Sequence, residues 1–91
     1  MILLVAYDLH NPGRDYDDVV EVLESARSHV HPQGSVWLLD TDLSPAEWRD
    51  KLKEAGDEND EYFVIRLQQA WAAFRMDKDA TDWLKDLART W

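Results

Sequence analysis

Asp8, His10 and Arg14 lie close together in the stretch YDLHNPGR (residues 7–14), directly after an apolar run. A carboxylate, an imidazole and a guanidinium can together hold a divalent cation, move a proton near neutral pH and steady a phosphate. Each has a plainer reading too. Asp8 can be a strand-end aspartate that bonds the backbone of its following turn, His10 and Arg14 can be ordinary loop polarity, and Tyr7 either packs on a sheet or lines a site. The aspartates that follow have structural explanations of their own. Asp15 stands where a helix N-cap belongs, and Asp17 and Asp18 fall in a first turn, where the helix dipole favours negative charge.

Other groupings are weaker. His29 and His31 alternate, so on a strand both point to one face, but two histidines without a third ligand make a poor zinc site. Asp40 and Asp42 share that alternation and either can join a carboxylate cluster, although the turn before Ser44 explains Asp42 more simply. The acidic stretch DENDE (57–61) reads as a solvated turn; it lacks the alternating ligands and glycine of a calcium loop. The sequence holds no glycine-rich phosphate loop, nucleophile elbow or HExxH motif. Trp48, Trp71, Trp83 and Trp91 crowd the second half, as an interface, as bulky core filler, or as base-stacking platforms, the last disfavoured by the missing basic groove.

Composition narrows the choice of partner and compartment. A chain of 91 residues makes one small domain, residues 1–91, for which burial through self-association is expected. Nineteen acidic against ten basic residues give a net charge of −9, which repels a phosphate backbone. Nonspecific nucleic-acid binding is therefore disfavoured, and an acidic surface suits a protein partner. The absence of cysteine removes a disulfide framework, a thiolate zinc site and a cysteine nucleophile together. The longest apolar run, Met1 to Tyr7, is too short to span a membrane and lacks the flanks of a signal peptide, so the chain reads as cytoplasmic and without a membrane partner.

Several elements must position these residues. ILLVAYD (2–8) reads as a buried strand, and YDDVVEVLESARSHV (16–30) repeats apolar residues at helical spacing from Tyr16 to Val30. His31 to Gly34 then make a turn into the strand SVWLLD (35–40), with His29 to His31 a candidate short strand paired to it. Ser44, Pro45 and Glu47 form a capping box that opens a helix presenting Trp48, Leu52 and Ala55 and stopping near Gly56. EYFVIRL (61–67) is a third strand, and QQAWAAFRM is either a short edge strand or a loop. A last helix runs from Asp79 or Thr81 to the end, with Ala80, Trp83, Leu84, Leu87, Ala88 and Trp91 on one stripe. This order predicts an α+β sandwich of the ferredoxin-like, split-βαβ type (βαββαβ) with an extra C-terminal helix.

Tyr7-Asp8 closing the first strand, SVW in the second, DLSPAE opening a helix and the acidic turn into FVIRL resemble the small CRISPR-associated endoribonuclease family and its VapD-like relatives. The pattern YDLHNPGRDY (7–16) is most similar to standalone members of that superfamily, and the likeness covers residues 1–67. The resemblance implies a ferredoxin-like homodimer whose strand-end aspartates, Asp8 here, face each other near the twofold axis and hold Mg²⁺ for RNA cleavage. In that role Asp8 is metal ligand and catalytic residue, with His10 and Arg14 assisting. The alternative is a noncatalytic dimer that uses its acidic surface to bind a protein. Arg14 is the only arginine or lysine between residues 8 and 18, where nuclease-type members carry several.

Overall fold

The run ILLVAYD forms strand β1 (Ile2–Asp8), an inner strand whose near-continuous apolar character follows from being covered on both faces. The computed structural model of the chain describes residues 1–11 and 16–91. Among them follow helix α1 (Asp17–Glu24), strands β2 (Ser28–Gln33) and β3 (Val36–Asp40), helix α2 (Pro45–Ala55), strand β4 (Glu61–Arg66) and helix α3 (Lys78–Lys85). The architecture is α+β: one four-stranded sheet in the order β2-β3-β1-β4, with every neighbouring pair antiparallel. No helix among the described residues is long and apolar enough to cross a membrane.

Strand alternation divides the core between two faces. Leu3 and Val5 of β1 with Trp37 and Leu39 of β3 join Val19 and Leu23 of α1 and Trp48 and Leu52 of α2 in one buried cluster. The alternate residues, Ile2 and Leu38, are buried on the opposite face. That face carries α3, whose Ala80 and Leu84 are buried and whose Trp83 donates from Nε1 to Ser28 Oγ at 2.9 Å. The capping box expected at Ser44 is formed, with Ser44 and Glu47 bonding each other's backbone N–H. Trp48 is closed off from water and its indole N–H donates to the Thr41 hydroxyl at 3.0 Å, so the largest core side chain leaves no polar atom unpaired.

Two helix ends differ from the sequence expectation, while QQAWAAFRM takes the loop of its two alternatives. Helix α1 stops at Glu24, and Val30 belongs to β2, which takes in and extends the candidate strand at His29 to His31. Ser28–Gln33 gains a cross-strand ladder with β3 that outweighs the helical periodicity, and the turn contracts to Gly34 and Ser35. Pro32 is tolerated because β2 is an edge strand whose pairing is irregular between Val30 and Gln33. Residues 67–77 form neither strand nor helix. Helix α3 ends at Lys85, leaving Leu87 fully exposed and Ala88 and Trp91 off the stripe. Asp86 takes an extended ψ and its side chain accepts from Ala88 N–H at 2.9 Å, a local bond that competes with helix continuation.

The chain beyond α3 is drawn to a buried carboxylate. Asp40 is 2% exposed; it accepts from Thr90 N–H at 3.0 Å and Arg27 Nη2 at 2.9 Å, and from the Thr90 hydroxyl. Arg27 also bonds Asp42, at 2.9 Å. Burial pushes the Asp40 carboxyl up, but the bonds from Thr90 and Arg27 outweigh it and hold it below the ordinary carboxylate range. A lowered folded-state value means that this stability is present above the unfolded value, near 3.9, and is lost as pH falls through it and below. Asp40→Ala should therefore cost roughly 2–4 kcal/mol at neutral pH. Its destabilisation relative to wild type should shrink on acidification, measured by urea unfolding from pH 7 down to pH 3.

Candidate metal centre

Asp8 ends β1 and Glu61 begins β4, and the antiparallel register sets them directly opposite each other. Both therefore stand on the sheet face away from α1 and α2. His10, two residues past the strand, turns back so that its Nε2 lies 3.6 Å from Asp8 Oδ2 and 3.6 Å from Glu61 Oε2. One ligand atom from each of the three fits within a 4.8 Å span. All three side chains are exposed, His10 least at 43%.

A third carboxylate holds the backbone of the histidine in place. Asp60, just before β4, accepts from the His10 backbone N–H at 2.9 Å and the Tyr16 hydroxyl at 2.8 Å through Oδ1. Its Oδ2 accepts from Asp57 N–H at 2.7 Å and from the Tyr62 hydroxyl at 3.3 Å. Tyr16 in turn accepts from Asn11 N–H at 3.2 Å. Burial pushes the Asp60 carboxyl up, and the N–H groups of His10 and Asp57 with the two tyrosines bring it below its usual value. The Tyr16 hydroxyl moves the other way, raised by burial and by its bond to that carboxylate.

Gly56 makes room for this arrangement. Its φ of −93° is open to any residue, so the requirement is space rather than backbone freedom. A Cβ there would fall 2.1 Å from the Tyr62 hydroxyl oxygen and 2.9 Å from Asp60 Oδ2.

The chain matches no protein-family model. Two carboxylate oxygens suit a hard divalent ion, and an imidazole nitrogen shifts the preference from Mg²⁺ toward a first-row transition ion such as Mn²⁺. The donor set thus fits a divalent cation.

The other sequence candidates have different places. Asp8 and His10 are together as expected, whereas Arg14, like the expected N-cap Asp15, lies outside the described residues. The N-cap of α1 is Tyr16, and Asp17 and Asp18 occupy the first turn. His29 and His31 do share a face, but they flank the Trp37 indole, with the His31 ring stacked at 4.3 Å. Asp40 and Asp42 are bound by Arg27 rather than clustered with Asp8. Tyr7 packs edge-on to Tyr62, donates to Gly34 O and accepts from Trp37 Nε1. The tryptophans are buried or half-buried, and the large exposed apolar side chains include Phe63 and Ile65 instead.

Glu61 and Asp60 were hidden inside DENDE, which is a turn only as far as Asp60. The available signal was the pairing of ILLVAYD with EYFVIRL: antiparallel alignment of two strands that carry an acid at opposite ends brings the acids together. Gly56→Ala should lower stability by about 1–3 kcal/mol, read as the urea midpoint, because a methyl group is forced against Tyr62 and Asp60. Adding Tyr62→Phe, which deletes the atom in closest conflict, should recover part of that loss.

Proposed function

We propose that this protein is a divalent-cation-dependent phosphodiesterase acting on RNA as a homodimer, of the type of the small CRISPR-associated endoribonucleases and VapD-like proteins. The observation that carries this reading is the convergence of Asp8, His10 and Glu61 at the end of the central strand pair. Asp8 is the residue that the resemblance singles out, and it has two further ligand groups beside it in the same protomer. The strand and helix order, with the sheet order β2-β3-β1-β4, supports taking the frame as ferredoxin-like with an added C-terminal helix.

Asp8, His10 and Glu61 would hold the ion, and the ion when bound would supply an activated water and charge neutralisation at a phosphodiester. The chain's own contribution is positional. Asp8 and Glu61 are fixed by strand register, and Asp60 fixes the backbone of His10. Because all three ligands come from one protomer, a metal is held without carboxylates shared across a twofold axis. The charge of −9 supports a second reading, a noncatalytic dimer whose acidic surface binds a protein.

Titration calorimetry should show saturable binding of one Mn²⁺ per protomer, tighter than Mg²⁺. Asp8→Asn and Glu61→Gln should each weaken it by about tenfold or more, with the fold intact because both side chains are exposed. Cleavage of single-stranded RNA with Mn²⁺ or Mg²⁺, lost in Asp8→Asn, would establish the enzyme. Binding without cleavage would favour the noncatalytic reading, and no binding would remove the metal centre altogether.

A further inference from the structure

The two edges of the sheet are unequal. Strand β2 is blunted by Pro32 and by an irregular register against β3, two devices that discourage further pairing. Strand β4 has neither: its six residues, EYFVIR, pair regularly with β1 throughout and hold no proline. Among the described residues no strand pairs with its outer side. Phe63 is 60% and Ile65 43% exposed, on the face that bears α3. Helix α3 packs against β2, at the far side of that face, so Leu4 and Ala6 beside them are only half-buried.

Which backbone groups of β4 point outward follows from one bond. Leu67 N–H donates to Ile2 O at 2.8 Å, which makes Ile2 and Leu67 a hydrogen-bonded pair continuing the register Leu4↔Ile65 and Ala6↔Phe63. Antiparallel alternation then turns the N–H and C=O of Val64 and Arg66 away from β1.

We infer that β4 pairs antiparallel with β4 of a second copy about a twofold axis at Val64, forming one continuous eight-stranded sheet. In this register Val64 bonds Val64 of the partner subunit, and Phe63 stands opposite Ile65 of the partner subunit on both sides of the axis. These flanking pairs are of the closer, non-hydrogen-bonded kind, with Cα atoms about 4.5 Å apart. The pairing is self-complementary, as an isologous interface requires. An axis at Phe63 would instead set Ile65 against Glu61 of the partner subunit. The two half-bare apolar faces then join into one patch between the two α3 helices. Glu61 lies three residues from the axis, so the two metal clusters stand about 20 Å apart and work separately.

This inference rests on the homodimer part of the proposed function and not on the metal. Light scattering should give twice the 10.7 kDa chain mass for wild type. Val64→Pro should halve it with an unchanged circular dichroism spectrum, because the lost N–H faces the partner and not β1. The double variant Phe63→Cys/Ile65→Cys, in a chain without native cysteine, should give a covalent dimer on oxidation, since the spacing suits a disulfide. A monomeric wild type would overturn both the dimer and this interface. A dimer that survives Val64→Pro, that fails to cross-link, or that is broken by Leu4→Lys but not by Val64→Pro would overturn the edge pairing alone.

Discussion

The two-residue repeat of β1 is the constraint on which the rest of this molecule depends. With β3 on one side and β4 on the other, each residue of the strand has its face assigned by parity. Leu3 and Val5 fall under α1 and α2, while Ile2, Leu4, Ala6 and Asp8 fall on the other side. The helix-covered core and the acidic cluster are therefore two products of one pattern. Glu61 joins Asp8 because the β4 register fixes its parity too, and Phe63 and Ile65 inherit the same face.

Three aspartates show how far environment divides one residue type. Asp40 is buried and stays ionised because Arg27 and Thr90 bond it, and it serves to tie the chain after α3 to the sheet. Asp60 is held by two backbone N–H groups and two tyrosines, and serves to place a neighbour. Asp8 is exposed, and among the described residues its one ion-pair partner is His10. An exposed carboxylate is open to an external ligand, and that exposure separates Asp8 from the other two.

Much of the frame was legible in the amino-acid sequence. The apolar runs gave β1, β3 and β4 to within a residue, and Ser44, Pro45 and Glu47 gave the start of α2, because these signals are local. The errors arose where local preference met a distant partner. Val30 fits a helical stripe and was lost to a ladder with β3. Leu87 and Trp91 fit one as well, but Asp86 and the pull of Asp40 on Thr90 end the helix first. In the site, Asp8 and His10 were visible from proximity in the chain. Glu61 and Asp60, some fifty residues away, needed the strand register; Gly56 is the helix stop that its sequence position suggests, and its further part, clearance for Tyr62 and Asp60, needed the fold.

The bonds converging on Asp60 carry an implication for how such a protein diversifies. The segment leaving β1 and the turn entering β4 are stitched to each other through one carboxylate, so neither can change length freely while the other stays fixed. Residues 8–11 and 56–62 thus behave as a single inheritable unit. Insertions are absorbed more readily in 67–77, where the chain has no regular structure to interrupt. A designer wishing to move the cluster onto another antiparallel strand pair would have to transplant both segments together, and Tyr16 with them.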